Sequence, residues 1–180
     1  MRIFVGCSSR DTDSSAYNET AAKIGNFIAH SKHTLVFGGS KYGLMGKVYE
    51  PVSRIDSSRI LVTLATAYES DLEDLSYYRA FPFATVNERK NCFINLADVL
   101  VFLPGGLGTL DELFTAIEAK RAHEHYKPIL IVNTDNFFEH FFGMLKKTES
   151  DKFADNYEDI LYHVVDSAED AIAYLNSLQK

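Results

Sequence analysis

Seven of the ten glycines fall into two short clusters, and each cluster follows an apolar run of strand length. The members are Gly38, Gly39, Gly43 and Gly46 in the first cluster and Gly105, Gly106 and Gly108 in the second. Where a strand leads into a helix, glycine lets the backbone approach a phosphate, and the helix N-terminus offers free N–H groups. Glycines also simply permit tight turns, and for either cluster alone the two interpretations are about equally good. Two clusters together favour one cleft that binds an anionic ligand.

Two common nucleotide fingerprints are absent from these clusters. The run from Pro104 to Thr109 lacks the G-x-G-x-x-G spacing of a dinucleotide fold. A P-loop needs Ser or Thr after its Gly-Lys pair, but Val48 follows Gly46-Lys47, and Lys41 occupies the position of the first P-loop glycine. Hydride transfer and ATP hydrolysis therefore both lose support.

Charged residues near the second cluster have competing interpretations. Thr109 to Glu112 taken alone is typical of a capping box, in which Glu112 would bond the N–H of the N-cap residue, and we favour that interpretation for the tetrapeptide by itself. Arg89 and Lys90 are predicted in the first turn of a helix, where cations oppose the helix dipole, and this favours a functional role for them. Ser8 and Ser9 follow a strand and are equally good as turn residues or as ligands of a sugar or phosphate.

Cysteine and histidine are expected to take no part in the chemistry. No general base stands near Cys7 in the sequence, so we interpret it as a packing residue. His123 and His125 are two residues apart near a helix end, a spacing that places them on different helix faces. We predict that both are solvated and that the protein has no metal site.

These residues lie on an alternation of strands and helices. Apolar runs are separated by segments of helical periodicity in about six βαβ-like units, which predicts an α/β fold with a mostly parallel sheet and helices on both faces in three layers. No linker or repeat interrupts it, so we expect one domain over residues 1–180. The predicted strands are Ile3 to Gly6, Leu35 to Phe37, Ile60 to Leu64, Phe81 to Val86, Val99 to Leu103, Ile129 to Val132 and Tyr162 to Val165.

Helices are predicted between these strands. They cover Tyr17 to Ile28 after a cap at Asp13, Gly43 to Arg54, a segment from a cap at Asn87 to Leu96, Leu110 to about His123, Phe137 to Lys146, and a final helix opened by Asp166 with Glu169. Glu69 to Asp74 is predicted as a loop or short helix, and residues 149 to 159 as a charged loop.

Charge and composition exclude several function classes. The formal net charge of −7 disfavours a general electrostatic grip on nucleic acid or an anionic membrane. Two scattered cysteines do not form a disulfide framework, which fits a reducing compartment. No apolar run approaches the ~20 residues of a membrane helix. We expect a soluble, cytoplasmic protein.

Two motifs resemble those of a known family. Asn87-Glu88-Arg89-Lys90 and the run from Leu103 to Glu112 are similar to the paired "ERK" and "PGGxGTxxE" motifs of the LONELY GUY (LOG) family. Gly6 to Ser9, Val36 to Gly46 and Lys127-Pro128 match further segments in the same order along the chain.

The resemblance implies a Rossmann-like homodimer that hydrolyses the N-glycosidic bond of nucleoside 5′-monophosphates, such as AMP or cytokinin nucleotides, without a cofactor. By position it assigns Arg89 and Glu112 to catalysis. The positions that it and the turn chemistry give to phosphate or ribose binding are Gly105, Gly106, Gly108, Thr109, Ser8, Gly38, Gly39 and Lys90. Arg89 is open to two roles, because it could stabilise the departing base or clamp the phosphate.

This sequence also departs from the family pattern. Ser40 replaces a third glycine, Val86-Asn87 replaces Met-His, and the segment from Ile117 to His125 differs from that of typical cytokinin-activating members. These departures concern the side of the site expected to hold the base. They motivate an alternative hypothesis, a nucleotide-binding or carrier protein without turnover. A third label, lysine decarboxylase, has been given to relatives and would require a Schiff-base lysine with pyridoxal phosphate.

Overall fold

Seven parallel strands form one sheet in the computed structural model, which describes residues 1–66, 72–73, 75–155, 157 and 160–179. The strands are β1 (Arg2–Gly6), β2 (Thr34–Phe37), β3 (Ile60–Ala65), β4 (Arg79–Phe83), β5 (Val99–Phe102), β6 (Ile129–Val132) and β7 (His163–Val165). The helices are α1 (Ser15–His30), α2 (Gly43–Asp56), α3 (Val86–Leu96), α4 (Leu107–Arg121), α5 (Glu139–Ser150) and α6 (Ala168–Ser177). Short 3-10 helices lie at Ser57–Arg59 and Thr134–Asn136.

The strand order β4-β3-β2-β1-β5-β6-β7 creates a switch point between β1 and β5. From β1 the chain builds outward to β4, then crosses to β5 and builds outward in the other direction. Beyond the paired strands the two chain segments stay bonded, since Leu103 N donates to Gly6 O at 2.9 Å and Ser8 N donates to Pro104 O at 3.1 Å. Open parallel sheets bind ligands at the carboxyl ends of their strands at such a point. The fold therefore directs attention to the ends of β1 and β5.

Side chains alternate between two separate cores along each strand. Ile3 and Val5 of β1 join a core that includes α1, α2 and α6, whereas Phe4 joins a core on the opposite face with α3 and α4. Parallel strands covered on both faces must be apolar on both faces, which explains their continuous apolar runs. The predicted three-layer α/β architecture is confirmed.

Three of the predicted helix caps are wrong by one or two residues. Ser14, not Asp13, caps α1 by accepting from Tyr17 N at 3.3 Å. Thr85, not Asn87, caps α3, where it forms a reciprocal capping box with Glu88.

The last helix follows the same pattern. Ser167, not Asp166, caps α6, and Asp170, not Glu169, donates its N–H to that cap at 3.1 Å. At all three helix starts the N-cap is Ser or Thr and not the nearby Asp or Asn. Both kinds of residue are good caps, so the local sequence does not decide between positions one or two residues apart.

The fourth strand also differs from its prediction. It runs over Arg79–Phe83 and stops short of Val86, because the cap at Thr85 already starts α3 there. Most of the segment from Glu69 to Asp74, and part of the predicted loop 149 to 159, lie outside the described residues. Within the described ranges, no helix combines the length and apolar character needed to cross a bilayer.

Candidate active site

The turn between β5 and α4 leaves a helix N-terminus without an acceptor. Gly106 is the N-cap of α4, and no side chain caps the helix in the part of the chain that the structure describes. The first turn carries no acidic residue, and Leu107 at its start is 87% exposed. The partial positive charge of this helix end is thus open to an anion from solvent.

Glycine serves two purposes in this turn. A Cβ on Gly105 would lie 2.1 Å from Thr109 Oγ1 and 3.0 Å from Ser8 N, so Gly105 is required for packing. A Cβ on Gly106 or Gly108 would meet nothing within 4 Å, and neither glycine has a positive φ. Folding therefore does not require glycine at Gly106 or Gly108, and both keep the backbone of the first turn accessible.

Arg89 and Glu112 meet beside this turn. Arg89 Nη2 donates to Glu112 Oε1 at 2.5 Å, and the two side chains are 13% and 3% exposed. A Cβ on Gly6 would lie 3.1 Å from Glu112 Oε2, and a Cβ on Gly38 would lie 3.4 Å from Arg89 Nη1. Glycines at the ends of β1 and β2 thus leave room for the ion pair at the carboxyl edge of the sheet.

Burial sets the electrostatics of the pair. Desolvation raises the pKa of Glu112 above its ordinary value, and the Arg89 guanidinium opposes that rise. Arg89 Nε is a buried donor without a partner among the described residues. An unpaired buried donor costs free energy, so the position of this guanidinium is not explained by hydrogen bonds within the described residues alone.

The capping-box interpretation of Thr109 to Glu112 is wrong. Helix α4 begins at Leu107, which places Thr109 at the third helical position instead of at the cap. Glu112 lies in the second turn and pairs with Arg89. The prediction that Arg89 and Lys90 occupy a first turn is also wrong, since they are the fourth and fifth residues of α3.

Lys90 forms a second ion pair next to the first. Its Nζ donates to Asp111 Oδ1 at 2.8 Å and to Asp111 Oδ2 at 3.0 Å. Two adjacent residues of α3 therefore hold two adjacent residues of α4. The sequence prediction gave Lys90 to the phosphate, whereas its ammonium contacts a carboxylate of the protein here.

The first glycine cluster has a different environment. Gly43 has φ +58°, and a Cβ there would lie 2.4 Å from Arg10 O. Asp11 Oδ1 accepts from Gly43 N at 3.1 Å, so the start of α2 already holds a carboxylate of the chain itself. Gly39 has φ +87° and packs against Val62, away from the Arg89 pair.

Ser8 connects the two glycine turns through its backbone. Its N–H donates to Pro104 O at 3.1 Å, and its carbonyl accepts from Met45 N at 3.0 Å. The hydroxyl lies in a local turn, donating to Arg10 O and accepting from Arg10 N, both at 3.0 Å. Ser9 is exposed.

Of the remaining candidate residues, Cys7 and His125 are buried and His123 is exposed. Burial and the nearby Glu112 charge both raise the pKa of the Cys7 thiol, which keeps it protonated and inert, as its interpretation as a packing residue requires. The prediction that His125 is solvated is wrong: it is buried, its Nε2 contacts Ala116 O at 2.9 Å, and its Nδ1 accepts from Lys127 N at 3.2 Å.

Comparison with known proteins decides the family. A family model described as "Possible lysine decarboxylase" matches residues 35–175. The cytokinin riboside 5′-monophosphate phosphoribohydrolase LOG4 of Arabidopsis thaliana is 30% identical over 152 residues, covering 84% of this chain and 71% of that protein. The chain belongs to the LONELY GUY (LOG) family. The probable phosphoribohydrolase LOGL9 of Oryza sativa subsp. japonica is 28% identical over 179 residues, which cover 99% of this chain and 78% of the relative.

Solved structures share the LOG fold at lower identity. The molybdenum cofactor binding protein of Rippkaea orientalis has a TM-score of 0.71 at 20% identity, over 99% of this chain and 97% of that one. The Moco carrier protein of Chlamydomonas reinhardtii has a TM-score of 0.71 at 21% identity, over 99% and 96%. At this identity the likeness shows the fold alone.

Sequence reasoning missed three residues that shape this LOG-family site. Asp11 occupies the N-terminus of α2, Asp111 engages Lys90, and Gly6 makes room for Glu112. Asp111 lies inside the recognised motif, but nothing in the motif indicates its partner. Asp11 and Gly43 are 32 residues apart, and no local pattern links them.

Proposed function

We propose that this LOG-family protein hydrolyses the N-glycosidic bond of nucleoside 5′-monophosphates to free base and ribose 5-phosphate. The observation that carries the proposal is the buried Arg89–Glu112 pair beside the uncapped N-terminus of α4. It combines an anion site for the phosphate with a carboxylate for the ribose. The curated relatives are named for the same reaction on cytokinin nucleotides.

The reaction consumes one water molecule. The bond between C1′ and the base nitrogen breaks, and its electron pair leaves with the base. The oxygen of water bonds to C1′, and a proton from that water ends on the base nitrogen. Positive charge develops on the ribose in an oxocarbenium-like transition state, which the Glu112 carboxylate stabilises. A buried carboxylate acts more strongly here than an exposed one, because less water screens its charge.

The N-terminus of α4 would orient the substrate by binding its phosphate. The phosphate oxygens would accept hydrogen bonds from the first backbone N–H groups of α4, those of Leu107, Gly108 and Thr109, and from the Thr109 hydroxyl. Arg89 holds the Glu112 carboxylate in place through its Nη2. The proposal includes a homodimer in the cytoplasm, as the resemblance implies.

The second candidate is a nucleotide-binding or carrier protein without turnover. It is favoured by Val86-Asn87 and Ser40, which depart from the LOG pattern. Two proteins of similar fold, one named as a molybdenum cofactor binding protein and one as a Moco carrier protein, supply the precedent. Such a protein would be stabilised thermally by a nucleotide that stays intact.

Lysine decarboxylation has no support from the residues of the site. A Schiff base needs a free lysine amine, and the Lys90 amine donates to both oxygens of Asp111.

Incubation with AMP and with a cytokinin riboside 5′-monophosphate, followed by chromatography of the base and of ribose 5-phosphate, tests the proposal. We expect equimolar release of the two products from at least one substrate. Binding of these nucleotides without release would support the carrier instead. Neither binding nor release from any purine or pyrimidine monophosphate would contradict both candidates.

A further inference from the structure

We propose that the Lys90–Asp111 pair is a positioning device that sets the Arg89–Glu112 pair, and that Lys90 is not a phosphate ligand. This inference rests on the proposed function and assigns roles to two residues of the same site. Asp111 and Lys90 are positioning residues, because each acts through its neighbour in the chain.

The contacts support a tether between α3 and α4. Lys90 Nζ reaches both carboxylate oxygens of Asp111, at 2.8 and 3.0 Å, and its side chain is only 13% exposed. The Asp111 side chain is 48% exposed, so the tether depends on the largely buried side chain of Lys90 and on its contact with both carboxylate oxygens. Lys90 and Asp111 are the sequence neighbours of Arg89 and Glu112. A shift of α3 relative to α4 at Lys90 would therefore also change the contact of Arg89 with Glu112.

The pair leaves Lys90 little capacity for a dianionic phosphate. An ammonium already placed against a carboxylate has its charge largely balanced, and Arg89 is balanced by Glu112 in the same way. Among the described residues, no such internal anion lies at the uncapped N-terminus of α4. The phosphate is therefore assigned to the backbone of α4.

The two members of the pair act on Glu112 in opposite directions. The Asp111 charge raises the pKa of Glu112 and the Lys90 charge lowers it, alongside burial, which raises it, and Arg89, which lowers it. Cys7 also faces Glu112 and stays protonated. Removing either member breaks the same tether. Loss of Lys90 should raise the pKa of Glu112, whereas loss of Asp111 should lower it.

The experiment measures kcat, KM and the pH profile of Lys90→Met and Asp111→Asn with AMP or the best monophosphate found. We expect both variants to lose on the order of tenfold in kcat, because the reacting groups are misplaced, with little change in KM. Turnover requires ionised Glu112, so it falls as the pH drops through the Glu112 pKa. The acid limb should move to higher pH in Lys90→Met and to lower pH in Asp111→Asn.

Glu118→Gln is the matched control. Glu118 is also an α4 carboxylate paired with a cation, Arg121, but that pair lies within α4 and both side chains are about half exposed. We expect kcat and the pH profile of this variant to match wild type. Lys90→Arg should recover part of the kcat that Lys90→Met loses, since it restores the cation.

A different result would overturn the inference. If Lys90→Met raises KM with kcat unchanged, while Asp111→Asn lowers KM, Lys90 is a phosphate ligand that Asp111 restrains. Acid limbs that shift in the same direction in both variants would also contradict it.

A failure of the proposed function is separable from a failure of this inference. Carbon-13 NMR of labelled glutamate side chains reports the Glu112 pKa without any substrate. Opposite pKa shifts in the two variants would support the pair's action on Glu112 even in a protein that cleaves nothing. Equal or absent shifts would refute that action even in an active enzyme.

Discussion

The two glycine-rich turns look alike in sequence and differ in what their glycines do. At the start of α2, an added Cβ would lie 2.4 Å from Arg10 O for Gly43 and 2.2 Å from Lys41 O for Gly46. In the turn before α4, Gly106 and Gly108 would meet nothing within 4 Å. The glycine cluster at the start of α2 needs glycine to fold, whereas Gly106 and Gly108 at the start of α4 do not.

The helix ends show the same contrast. Asp11 Oδ1 accepts from Gly43 N at 3.1 Å, so α2 begins against a carboxylate of its own chain. No described side chain caps α4. An anion site thus requires a glycine turn together with an unoccupied helix end, and this chain combines the two at α4.

The largest expected effect on stability is at the glycine cluster that starts α2. Gly43→Ala places a Cβ against the Arg10 backbone at a residue with φ +58°, and both the clash and the left-handed conformation cost free energy. We expect urea denaturation to show a loss of about 2–4 kcal/mol in the free energy of unfolding. A loss below about 0.5 kcal/mol would mean that the turn adapts easily and that the contrast is weaker than stated.

A substitution at the glycine-rich start of α4 should lower activity without lowering stability. Gly108→Ala adds a methyl group over the first turn of α4, where we place the phosphate, and we expect kcat/KM to fall roughly tenfold. Its stability should rise by about 0.5–1 kcal/mol, because alanine is the better helix former.

Gly143→Ala is the matched control for Gly108→Ala. Gly143 also lies in a helix with nothing within 4 Å of an added Cβ, but in α5. We expect the same gain in stability with unchanged kcat/KM. If Gly108→Ala is as active as this control, the substrate phosphate does not bind at the N-terminus of α4.

The smallest expected effect is at the contact of Asp11 with the first residue of α2. Asp11→Ala removes the acceptor of Gly43 N, and we expect a loss of about 1 kcal/mol in the free energy of unfolding. Asp11→Asn keeps an acceptor oxygen and should lose less. An Asp11→Ala protein that binds monophosphate more tightly would show that the start of α2 can also act as an anion site.

Much of the fold is predictable from the sequence for a physical reason. Strands buried on both faces must be apolar throughout, and Ile129–Val132 has its predicted limits. Helix starts are less predictable, because Asp13 and Ser14 are both good caps and only the folded backbone selects one.

The site is predictable as far as its motifs extend. Arg89 and Glu112 are 23 residues apart, and no periodicity indicates that they meet. Family resemblance supplied both residues, while the partners Asp111 and Asp11 depend on how helices pack. His125 shows the same limit, since its burial follows from packing against α4 and not from its neighbours in sequence.

The most direct test of the central claim is the rate of base release by Glu112→Gln. This substitution keeps the shape and an acceptor oxygen for Arg89 while it removes the charge, so urea melts should show a folded protein at the assay temperature. The account predicts a kcat roughly 100- to 1000-fold below wild type for release of base from the best monophosphate. A folded Glu112→Gln protein that releases base at the wild-type rate would contradict it.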